Sequence, residues 1–208
     1  MRNTKLIVFT SVLIFFVSCA PSKKVLTREE SLSLRNEQIA TTTRIYSGVT
    51  KNDVLVAADK LFRLADGNDF DIFHAENSVT ANRRWSVYLV LAAAFGTDRW
   101  IVLADEIDNK IKVTVRVNTE NAPVIPIATT GGSNVWTATT LPGIENSIQG
   151  KALYEIFFRR LDYLLGKSKE WWDCELAEKK IKEMKLEGLI EPLCNSFNIN
   201  DERPDGLK

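Results

Sequence analysis

A single histidine, His74, serves a chain of 208 residues. Chemistry that needs two imidazoles is thereby excluded, zinc-binding His-Glu-x-x-His sites included. A serine or cysteine triad survives only if His74 is its base. The chain also lacks a Gly-x-Ser-x-Gly elbow, a dinucleotide fingerprint and a Walker loop. Thr129-Thr130-Gly131-Gly132-Ser133-Asn134 is rich in glycine, yet no Gly-Lys-Ser/Thr follows to complete a phosphate cradle. His74 has no cysteine, serine or carboxylate motif beside it and reads as a histidine on the surface of a strand. The carboxylates give no better catalyst. Asp105 and Glu106 are adjacent on a strand and point to opposite faces, while Asp69 and Asp71 flank a turn and read as solvated caps. The expectation is a protein that is not an enzyme, with no catalytic residue, metal or cofactor.

Surplus charge is absent too. Lysine and arginine number 27, as do aspartate and glutamate. With no concentrated basic surface, nucleic acid is not an expected partner. Hydrophobic residues make up 45% of the chain, enough for a real core.

No apolar run is long enough to span a bilayer, which takes about 20 residues. The longest, Leu6 to Val17, has twelve; it follows Arg2 and Lys5 and runs into Ser18-Cys19. A basic start, a short apolar stretch and a small residue before cysteine form an export signal. Phe16-Val17-Ser18-Cys19 resembles the lipobox of bacterial lipoproteins, with Phe16 where the family usually has leucine. The resemblance implies removal of residues 1–18, acylation of Cys19 and attachment to the membrane through covalent lipid. One chain binds only marginally, whereas two or three make attachment permanent. Ala20 after the cysteine implies, by the sorting habit of enteric members, the outer membrane and a periplasmic face. Loss of Arg2 and Lys5 from the 27 basic residues leaves 25 against 27 acidic ones.

Cysteine is scarce as well, at three. With Cys19 assigned to lipid, Cys174 and Cys194 remain as an even pair in a compartment that permits disulfides. Closing that loop stabilises by about 3 kcal/mol on the chain-entropy model. Two buried free thiols are the alternative.

What is present reads as one α+β domain behind a tether. Residues 19–48 are polar, with a capping box at Thr27-Arg28-Glu29-Glu30 and a short helix through Leu32, Leu34 and Ile39. The globular domain is placed at 49–197. Its first helix starts at Thr50, with Asp53 reaching back and Val54, Ala58, Leu61 and Ala65 on one face. Strands follow at Phe70–His74, Arg83–Phe95, Arg99–Asp105 and Lys110–Asn118, with turns at Gly96-Thr97-Asp98 and Asp108-Asn109. Short links make this an antiparallel sheet of three to four strands, one face buried and one wetter. Residues 119–147, rich in proline, glycine and threonine around Trp136, read as a long loop, with Trp136 as a candidate partner contact. A second helix runs from Gly150 to Gly166 on Leu153, Ile156, Phe157, Leu161 and Leu164. A third opens at Ser168 with Trp171, Cys174, Ala177, Ile181 and Met184 on one face. Residues 198–208 read as a polar tail.

Helix, strands and long helix over residues 49–166 loosely resemble, in order of elements, the helix-grip lipoprotein subunit of the outer-membrane protein assembly machine. The resemblance carries no residue motif. The functional expectation is a lipid-anchored envelope lipoprotein, a non-enzymatic interaction or assembly component of an envelope or secretion complex with a protein partner. The alternative is a periplasmic module that binds a lipid or other apolar small ligand between sheet and helix.

Overall fold

A computed structural model describes residues 26–66, 70–89, 92–124 and 150–194. Cys19, the signal stretch 1–18, Trp136, most of the expected loop and the tail 198–208 lie outside the described residues.

The chain is α+β, with a five-stranded antiparallel sheet in the order β1-β5-β4-β3-β2. Its elements are α1 (Arg28–Thr42), β1 (Thr43–Ser47), α2 (Lys51–Asp66), β2 (Phe70–Ala75), β3 (Ser78–Leu89), β4 (Ala92–Ile107), β5 (Lys110–Val124), α3 (Lys151–Leu164) and α4 (Cys174–Met184).

The local signals for the helices are met. Thr27 and Glu30 close the expected capping box on α1. At α2 the Thr50 hydroxyl accepts from the Asp53 amide at 3.1 Å, and the Asp53 carboxylate accepts from the Thr50 amide at 2.8 Å. Val54, Ala58, Leu61 and Ala65 form its buried stripe. Helix α3 ends at Leu165 and Gly166, where the glycine's φ of 67° suits the left-handed turn that stops it. Helix α4 starts later than Ser168. Asp173 is its N-cap and accepts from the Leu176 amide at 2.8 Å, while Ser168 closes a separate turn with Glu170.

The sheet departs from expectation in several places, among them a β3 that starts at Ser78 and a β4 that takes in residues 92–95, expected on the strand before it. It has five strands rather than three to four, because residues 43–47, read as tether, pair with Lys110–Thr114 as β1. Only Tyr46 of that strand is buried, so its sequence carries little periodic signal. The turn expected at Gly96-Thr97-Asp98 is the middle of β4. Gly96 pairs with Trp85, and a Cβ on Gly96 would collide with the Trp85 indole. That glycine is required by the Trp85 ring on one neighbouring strand and the Glu120 carbonyl on the other, not by a reversal. Finally, β5 continues past Asn118 to Val124, pairing with β4 through residues expected to open the loop. Asp108 and Asn109, both at positive φ (49° and 58°), make the tight turn between β4 and β5.

Alternation then sets the layers. Ile111, Val113, Val115 and Val117 face the helices, together with Val79, Ala81, Trp100, Val102 and Ala104. Phe62 on α2 lies 5.5 Å from Trp100 and 5.9 Å from Phe157 on α3, and Trp100 stacks on Phe157 at 5.6 Å. These rings occupy the space between sheet and helices.

Candidate functional site

Three charged groups buried in the fold are tied to their neighbours. Arg160 lies within the apolar stripe of α3 and is fully buried. Its guanidinium donates to the Trp172 carbonyl at 2.8 Å and the Leu193 carbonyl at 3.2 Å, and rests over the Trp171 ring at 5.0 Å. It also lies 3.4 Å from Sγ of both Cys174 and Cys194. Those cysteines are joined as a disulfide with Cα atoms 5.4 Å apart, fastening the 191–194 turn to the start of α4. Arg83 on β3 and Asp98 on β4 form a second buried pair at 3.0 Å, and the Thr119 hydroxyl donates to the same carboxylate at 2.8 Å. The sequence reading placed neither Arg83 nor Asp98 in the core. Position 160 was detectable in principle, because it falls three and four residues after Phe157 and Ile156.

Half-buried polar groups link β1 to α3. Arg44 donates to Asp162 at 2.7 Å and to Glu155 at 2.9 Å, and Arg159 donates to Glu155 at 2.7 Å. The Tyr46 hydroxyl donates to Asp162 at 2.7 Å. Burial first, and then the Asp162 carboxylate, push the Tyr46 phenol far above its ordinary range. Burial likewise raises the Tyr154 phenol, against a hydrogen bond with the Val117 backbone. Neither network exposes an unengaged nucleophile or base.

His74 lies at the edge of the helix-facing side of β2. Its Nε2 shares a hydrogen bond with Asp59 at 3.2 Å, and Arg63 donates to the same carboxylate at 2.9 Å. The imidazole is a half-exposed surface group, as its strand position suggests. Among the described residues, no group of His, Cys, Asp and Glu could hold a metal, and no helix is long and apolar enough to cross a membrane.

Two surface features remain, on opposite sides of the molecule. The first is a groove of about 450 Å³, open to solvent, between the start of α2 and the end of α3. It is lined by the apolar Val49, Val56, Ala57, Leu164 and Leu165, with Asn52, Asp53 and Lys60 as its polar side chains. Val56 is 58% exposed there, an unusual setting for a β-branched residue on an otherwise well-packed helix. The second is the face of the sheet turned away from α2 and α3. Its outward residues include the exposed apolar side chains Ile45 and Phe73 and the exposed arginines Arg84, Arg99 and Arg116.

Comparison of the chain with protein-family models, with curated proteins and with solved structures finds no match.

Proposed function

We propose that the protein is a lipid-anchored lipoprotein of the cell envelope whose folded domain is a non-enzymatic interaction or assembly component of an envelope or secretion complex. Two features support the address. One is the short apolar run ending in Ser18-Cys19. The other is the Cys174–Cys194 disulfide, a bond that persists in oxidising compartments.

The interaction role is carried by the groove between α2 and α3. Its lining is largely apolar and includes Lys60, while the one carboxylate there, Asp53, is already engaged in capping α2 through Thr50. That combination suits a protein partner presenting an apolar side chain next to a carboxylate. An apolar ligand held between sheet and helix is the weaker reading, because Phe62, Trp100 and Phe157 fill that space.

A photo-crosslinking residue at position 56 of the lipidated protein, expressed at native level, tests the role. One defined envelope protein is expected to be captured. Capture is lost in Leu165→Asp and kept in Met184→Asp, whose site lies on α4. Equal capture by both variants, or none by either, removes the groove from consideration. The address is tested separately. Labelled fatty acid enters the wild-type chain and not Cys19→Ser, and label in both would mean that another residue is the anchor.

A further inference from the structure

The sheet face opposite the helices carries a pattern that the interaction role does not use. Strand register sets Arg84 across from Thr97, Arg99 between Asn82 and Asn118, and Arg116 across from Ile101. Each arginine is therefore one strand over and two residues along from the last. They form a straight diagonal across β3, β4 and β5 with Cα spacings of about 8 Å. All three are exposed, and none makes an ion pair with a described residue. Lys112, two outward positions beyond Arg116 on β5, sits off the diagonal between Ile45 of β1 and Asp105 of β4.

Two exposed apolar side chains flank the diagonal, Phe73 on β2 at 58% and Ile45 on β1 at 66%. The acidic residues of the same face, Asp71, Asp105 and Glu120, lie off the diagonal. The described groove lies among the helices and not on this face, so the face matches an extended surface better than a small molecule. Guanidinium groups suit phosphate because their fork donates two parallel hydrogen bonds. Apolar side chains beside them gain by entering the boundary between headgroups and acyl chains.

We propose that this open face of the sheet docks on an anionic phospholipid surface, with Arg84, Arg99 and Arg116 on lipid phosphates and Phe73 and Ile45 in the headgroup layer. The site is separate from the groove. In a lipid-anchored protein it would lay the sheet on the membrane and turn the helices, with the groove, outward; only that orientation rests on the proposed anchor.

The test uses the chain from Ala20 onward, which keeps every described residue and lacks the apolar Leu6–Val17 run. Vesicles of phosphatidylglycerol with phosphatidylcholine are expected to sediment it, and pure phosphatidylcholine vesicles to leave it in solution. Binding falls about fivefold for each arginine replaced by glutamine, and on the order of a hundredfold for all three. It also weakens as salt is raised. A control with Lys179, Lys180 and Lys182 all replaced by glutamine removes the same charge from α4 and leaves binding unchanged. Circular dichroism verifies that both variants are folded.

Equal losses in the two triple variants would reduce the effect to net charge and overturn the proposal. So would absence of binding to anionic vesicles, or a dimer that forms without lipid and dissociates in the arginine variant, which would assign the face to a second copy. None of these outcomes bears on fatty-acid labelling of Cys19, so the anchor and the docking face fail independently.

Discussion

Removing Asp98 isolates the energetic role of the buried ion pair. Arg83 and Asp98 are only 5% and 3% exposed, so water cannot take the place of a lost partner. In Asp98→Ala the guanidinium stays buried without the Asp98 carboxylate, and the Thr119 hydroxyl loses the acceptor now 2.8 Å away. Breaking a buried pair from one side costs about 3–5 kcal/mol. At roughly 2–4 °C per kcal/mol for a domain of this size, the melting temperature falls by about 6–20 °C. Urea unfolding followed by circular dichroism at neutral pH measures the loss. High salt leaves it nearly unchanged, because a buried pair is poorly screened.

The double variant Arg83→Met with Asp98→Leu removes both charges and fills the space with apolar atoms. It is expected to be more stable than Asp98→Ala alone, although it carries one more substitution. A loss below about 1 kcal/mol in Asp98→Ala, the size of an exposed pair, would refute the reasoning. So would a double variant as unstable as the two single losses added together.

Reducing the Cys174–Cys194 bond lowers unfolding free energy by about 3 kcal/mol, visible as a lower urea midpoint in dithiothreitol; equal midpoints would show that the bond does not constrain the unfolded chain. Gly96→Ala forces its new methyl into the Trp85 ring and costs about 1–3 kcal/mol, whereas the same change paired with Trp85→Ala recovers part of the loss in the same assay. Both Tyr46 and Tyr154 hold their protons more tightly folded than unfolded, where the phenol value is 10.0. The native state therefore binds more protons above that value, and stability is intact below it and declines as pH rises further. Tyrosinate absorbance from Tyr46 should appear only with unfolding and that from Tyr154 above the ordinary phenol range, and Tyr46→Phe should flatten the alkaline decline. A normal phenol titration of both in the folded protein would contradict the burial argument.

Periodicity made some elements legible. The stripes of α2 and α3 and the alternation of Ile111, Val113, Val115 and Val117 are dense, local patterns, and the structure buries them except for Leu164, which is half-buried at the groove. The structure joins Cys174 to Cys194, the even pair left by the cysteine count. Features whose cause lies on another strand were harder to read. Gly96 looks like punctuation until Trp85 is placed across from it, and Asp98 looks like a turn residue until Arg83 arrives on the neighbouring strand. Strand β1 presents one buried residue in five and was hidden in a polar stretch. The arginine diagonal spans three strands, so it exists only in the register and has no signature along the chain.

The place of β1 also has a mechanical meaning for a domain held by its N-terminus. Tension would reach the fold through α1, a 15-residue helix with no buried residue, joined to α3 by an exposed Glu37–Lys151 pair. Such a helix has little packing to resist extension and would lengthen first. The pull would then arrive at β1, where five register pairs with β5 and the grip of Arg44 and Tyr46 on Glu155 and Asp162 spread it into the sheet and α3 together. The edge strand that was hardest to see in the sequence is thus where the load path enters the core, and Arg44 and Tyr46 are the side chains through which force would pass from sheet to helix.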